Sequence, residues 1–169
     1  SISSDAELRS FTFWTLGGLD MSDWNIVGIT SLFIIIPFLA IYKLQYQMDI
    51  FMLGDAESEH LGLNVESLKK KIILISSIIV GVSVSFCGMI GFIGLVTPHL
   101  IRLILGPNHK YLIPGSAILG AILLTTSDLI SKTIISPAQL PIGVVTSAIG
   151  APFFVWLILN QKRRFNYAE

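Results

Sequence analysis

The chain is patterned as long uncharged runs separated by short charged islands. Asp, Glu, Lys and Arg are absent from 24–42, 72–101, 111–127 and 133–161. A helical bilayer crossing takes about 20 apolar residues. The pattern therefore predicts an all-α fold, a polytopic membrane helix bundle in one domain, with little chain left for a soluble unit. The run 72–101 is too long for one crossing. It is also interrupted by Gly88-Met-Ile-Gly91-Phe-Ile-Gly94 and by Pro98, residues that a simple anchor helix does not need.

The distribution of basic residues decides between two topologies. If 72–101 is one helix and island 43–71 lies inside, the inside holds Lys43, Lys69, Lys70, Lys71 and Lys132. The outside then holds Arg9, Arg102, Lys110, Lys162, Arg163 and Arg164. If the run turns near Gly88–Gly91, the inside holds nine of the eleven basic residues and only Arg9 and Lys132 remain outside. Cytoplasmic loops carry the excess of Lys and Arg, so the second arrangement is predicted. Its spans are 24–42 inward, about 72–89 outward, about 92–106 inward, about 112–133 outward and about 149–161 inward. Pro37 and Pro98 fall within spans, where neighbouring helices can accommodate them.

Two segments are neither plain spans nor plain loops. Residues 134–148 are apolar but hold Pro137 and Pro141, which predicts a short outer or re-entrant helix starting at Pro141. Residues 54–68 lie inside. Asp55 is placed to cap a short helix with Glu57 and Glu59 in its first turn, and Gly62 to stop it. Asn64 is placed to cap a second, with Glu66 early and Lys69–Lys71 leading into the membrane. Helices this short need a surface to lie on.

Small residues at helical spacing predict close helix packing. Ser77, Gly81 and Ser85 form one stripe, and Ser116–Gly120 and Gly143–Ser147–Ala151 repeat the pattern. Gly91, Gly94 and Pro98 are further packing candidates.

Composition agrees with the pattern: 53% hydrophobic, 13% charged and mean hydropathy +0.76, against about 25% charged in soluble domains. Zero net charge leaves no nucleic-acid footprint. The single cysteine, Cys87, excludes an internal disulfide and reads as a small packing residue. Residues 1–23 carry Asp5, Glu7, Arg9, Asp20 and Asp23 with no initial Met, unlike a signal peptide. They suggest a piece of a longer chain.

Ionisable groups within a membrane are functional candidates by default. Most here lie near span ends. Arg102 is placed to snorkel, and His99 to hydrogen-bond within the bundle. No metal site is expected, since a metal needs several ligands. Asp128 and Lys132, at i, i+4, are oriented for an intrahelical pair, with docking of a partner by Lys132 as the alternative. There is no G-x-x-x-x-G-K-[ST], H-E-x-x-H or G-x-S-x-G pattern, so no ATP hydrolysis, catalytic residue or resident cofactor is expected of this chain.

Three ordered stretches carry a family resemblance. Gly91-Phe-Ile-Gly-Leu-Val-Thr-Pro98-His99-Leu-Ile-Arg102 resembles a signature of the permeases that import iron-siderophores, heme and vitamin B12. So does Gln139-Leu-Pro141-Ile-Gly143-Val-Val-Thr-Ser-Ala-Ile-Gly150-Ala-Pro152-Phe-Phe. Leu53-Gly-Asp55-Ala-Glu57-Ser-Glu59-His60-Leu-Gly62-Leu-Asn64-Val-Glu66 resembles their cytoplasmic loop. The resemblance implies the C-terminal half of a type II ABC importer permease in a bacterial cytoplasmic (inner) membrane. Its partners would be a second permease subunit, identical or paralogous, an ATPase subunit that binds the ATP, and an extracytoplasmic substrate-binding protein. It makes 54–68 the ATPase-coupling segment and Lys132 the docking residue for the binding protein. Phe11-Thr-Phe-Trp14-Thr-Leu-Gly17-Gly18 and the Glu59-His60-Leu-Gly62 form of the loop favour heme among the cargoes, with a vitamin B12 permease as the alternative. Outside this class, a structural membrane subunit and an intramembrane enzyme using His99 or Asp128 stay open.

Overall fold

The computed structural model describes residues 11, 14–19, 23–134 and 141–166. Among them the described helices run, in order, α1 Trp24–Lys43, α2 Gln45–Phe51, α3 Asp55–His60, α4 Val65–Cys87, α5 Ile93–Leu105, α6 His109–Ile134 and α7 Ile142–Asn166. Helices α1, α4 and α6 are each long and apolar enough to cross a membrane. Helix α5 and residues Ile142–Leu157 of α7 are shorter apolar helices. At about 1.5 Å per residue, the 13 residues of α5 reach only about 20 Å, short of the roughly 30 Å hydrocarbon layer.

The break in the long uncharged run is built by two residues of positive φ. Gly88, φ 69°, caps α4 and donates its N–H to the Val84 carbonyl. Phe92, φ 66°, precedes α5 and is a non-glycine residue in the left-handed region. Residues 14–18 latch onto this break: Met89 N–H donates to Trp14 O and Gly18 N–H to Cys87 O. The run 72–101 is therefore divided between two helices, α4 and α5.

Helix α4 packs on α1, α5 on α6, and α7 on both α5 and α6. The packing is close where glycine allows it. A Cβ added to Gly115 of α6 would stand 3.1 Å from the Ile101 side chain, and one on Gly150 of α7 would collide with Phe92. A Cβ on Gly143 would collide with the Leu16 carbonyl. Val96, Ile101, Leu112, Ile142 and Val145 form the small buried core, while Leu32, Ile36, Leu39, Ile73, Leu74 and Val80 are exposed. Such faces suit lipid or neighbouring helices rather than water.

The structure corrects several expectations. The segment after Asn64 is not a separate short helix: α4 runs unbroken from Val65, because Lys69, Lys70 and Lys71 are good helix formers and no breaker follows them. The short helix at Pro141 and the span at 149–161 are one helix, since Pro141 precedes the first turn and removes no internal hydrogen bond. The Pro137 segment, 135–140, lies outside the described residues.

The Ser77–Gly81–Ser85 stripe is exposed, with nothing within 4 Å of a Cβ on Gly81. The half-buried face of α4 carries Ile72, Ile75, Ile79 and Val82 instead, roughly opposite the stripe on a 3.6-residue helix. Likewise Gly91 and Gly94 meet no neighbour. Gly94 stands four residues before Pro98, where the proline ring crowds the carbonyl of the preceding turn. Finally, α2 is an additional short helix, and α6 begins at His109 rather than near 112.

Candidate functional site

The segment 54–68 folds into a tied corner. Gly54, φ 103°, precedes α3 and offers no side-chain cap. Asp55 is therefore the first helical residue rather than the cap, and it spans to α4, accepting from Lys69 Nζ at 2.6 Å. Glu57 shares the first turn with Asp55, where acids suit the positive end of the helix dipole. Glu59 and His60 lie in the second turn and are exposed, as are Asp55 and Glu57. Gly62 follows the helix end with φ 83°, a conformation glycine adopts without strain. Asn64 caps α4, its Oδ1 accepting from Ser67 N–H at 2.9 Å, and Glu66 pairs with Lys70 at 2.8 Å.

The corner is anchored from below. Ser58 is fully buried; its hydroxyl reaches the Gly54 carbonyl at 2.6 Å and the Ile50 carbonyl at 3.0 Å. Val65 and Leu68 are buried beside it. The Lys69 ammonium lies 5.2 Å from the Phe51 ring centroid. One face of the segment is thus fixed to the bundle and the acidic face is left open.

Sequence reasoning missed the residues beneath this corner. Asp49 of α2 and His109 of α6 meet across 60 positions of chain. Asp49 Oδ1 accepts from the His109 backbone N–H at 2.9 Å and lies 2.6 Å from His109 Nδ1. A carboxylate only accepts, so Nδ1 carries the proton. His109 is buried. A polar residue just before an apolar run is a helix-start signal, but the capping acid came from another element, which no local pattern reveals.

At the other end of α6, Lys132 donates to Asp128 Oδ2 at 2.8 Å, so the intrahelical pair is formed. Their side chains are 40% and 17% exposed, which leaves the ammonium the more accessible partner. His99 stacks edge-on against Phe153 of α7, with ring centroids 6.2 Å apart, and acts as a packing group. Pro98 is half-buried within α5, and Arg102 is exposed in its last turn. Among the described residues no cluster of His, Cys, Asp and Glu forms a cation site.

The described residues thus combine five helices of apolar character with an acidic corner at α3 and an ion pair near the end of α6. Residues 1–160 match the model of the FecCD transport family. The chain belongs to that family. The hemin transport system permease protein HmuU of Yersinia pestis is 43% identical over 96% of this chain and 49% of that protein. The vitamin B12 import system permease protein BtuC of Vibrio vulnificus is 38% identical over 94% of this chain and 48% of its own length. A solved metal-chelate type ABC transporter, in an inward-facing conformation, superposes with a TM-score of 0.85 at 29% identity, covering 93% of this chain and 51% of that one. The chain spans about half the length of the curated relatives it matches. This FecCD-family chain is a multi-pass membrane protein, and its named relatives are transport permeases.

Proposed function

We propose that the protein is the permease subunit of a type II ABC importer for iron chelates, with heme as the first candidate cargo. The single observation that carries the reading is the family match over nearly the whole chain. Heme is preferred because the hemin permease is 43% identical and the vitamin B12 permease 38%; a corrinoid is the second reading for the same reason. ATP is hydrolysed on a separate ATPase subunit, seated against the open acidic face of α3. The extracytoplasmic binding protein docks at the end of α6 that carries Lys132. A second permease subunit completes the pathway in the cytoplasmic (inner) membrane.

Mechanistically, the chain supplies a rigid bundle and two contact points. Movement of the ATPase displaces α3 and α4, which Asp55 and Lys69 hold together. Closely packed helices respond as bodies, because the glycine contacts at 115, 143 and 150 leave no slack. The test is uptake by cells that lack their own importers and express the full-length protein with its ATPase and binding protein. Growth on hemin as sole iron source, unaffected by excess cobalamin, is the expected result. Accumulation of labelled cobalamin without hemin uptake overturns the cargo.

A further inference from the structure

We propose that Asp49 and His109 are positioning residues that transmit movement of the coupling segment to α6. The inference rests on the importer reading above. Three consecutive residues of α2 each hold a different element. Asp49 holds the start of α6 through both the backbone N–H and the ring of His109. The Ile50 carbonyl holds α3 through the buried Ser58 hydroxyl. The Phe51 ring lies against the Lys69 ammonium of α4, and Lys69 in turn holds Asp55 of α3. Force on α3 therefore reaches α2 by two routes, and Asp49 passes it to the start of α6.

That carboxylate is well suited to the task. Charge-assisted hydrogen bonds are the stronger kind, and His109 is only 8% exposed, so water competes weakly for them. Helix α6 then continues, with Pro114 inside it, to Lys132, about 35 Å away at 1.5 Å per residue. A displaced α6 start moves both ends of the molecule together.

The test uses the full-length permease assembled with its ATPase and binding protein in proteoliposomes. It measures cargo transported per ATP hydrolysed, with basal hydrolysis and subunit association recorded alongside. Asp49→Ala is expected to leave association and basal hydrolysis in place. It should lower the transport-to-hydrolysis ratio by about 2- to 30-fold, the span of coupling changes seen along physically connected networks. Asp49→Asn keeps an acceptor for the His109 N–H and should fall between parent and Asp49→Ala. An unchanged ratio in Asp49→Ala overturns the inference. If Asp49→Ala does not assemble, Asp49→Asn decides: a parental ratio overturns the inference, and a lowered one supports it. A parent that shows no ATP-driven uptake instead overturns the importer reading itself, so the two failures are distinguishable.

Discussion

At the scale of single residues, glycines divide into those that touch and those that do not. Gly150 lies against Phe92, which itself adopts a positive φ. Gly150→Ala drives a methyl into that ring and should destabilise the bundle by roughly 1–3 kcal/mol, the range for overpacking. Gly81 has open space around it, so Gly81→Ala should instead gain up to about 1 kcal/mol from helix propensity. Thermal unfolding of the two variants in detergent checks both signs. If Gly81→Ala is as costly as Gly150→Ala, a further helix outside the described residues covers the stripe. The contrast explains what sequence reading missed. Spacing identified small residues on one line of a helix, but could not say which face the partner helix takes. The packed face of α4 is the apolar one of Ile72, Ile75 and Ile79. Conversely, the positive φ at Gly62 and the cap at Asn64 were legible, because turn and cap chemistry is local.

At the scale of elements, the corner around α3 sets the shape of residues 54–68. Gly62 meets nothing within 4 Å, so a larger residue there is not blocked by space. It is opposed by backbone: a non-glycine residue in the left-handed region costs about 1–2 kcal/mol. Gly62→Leu should shift α3 against α4 while membrane insertion survives, and stimulated ATP hydrolysis should fall. Normal stimulation in that variant contradicts a coupling role for 54–68. At the far end of α6, Lys132 pairs with the half-buried Asp128, and its ammonium is the more accessible of the two. Lys132→Glu should slow binding-protein association, most strongly at low salt where charge steering is greatest. Association at the parental rate there favours the local pair alone. The boundaries of α4 and α7 illustrate the limits of reading elements from breakers. Lysines at 69–71 marked a charge island, yet they continue a helix. Pro141 marked a start, and Gly150 and Pro152 lie downstream as breakers, yet α7 runs through both.

At the scale of the whole molecule, the break at Gly88–Phe92 divides the long uncharged run into two helices, the division that the basic residues favoured. Fold class was legible because uncharged runs of this length admit few soluble alternatives. The clasp between Asp49 and His109 was not, because the two residues meet only through tertiary packing. The topology predicts that position 56 faces the cytoplasm and position 133 the opposite side. Ala56→Cys and Thr133→Cys suit the test, since both positions are exposed and Ser58 is buried. In a Cys87→Ser background of the full-length protein, an impermeant thiol reagent added to cells with a permeabilised outer layer should label position 133 and not 56. The reverse pattern inverts the arrangement.

If a separate ATPase drives this bundle through 54–68, site-specific crosslinking will capture that contact. A photo-reactive amino acid at Glu59, exposed on α3, is placed in the full-length complex and irradiated. An adduct to the ATPase subunit is expected from position 59 and none from position 133. An ATPase that co-purifies yet crosslinks from 133 and never from 59 contradicts coupling through 54–68.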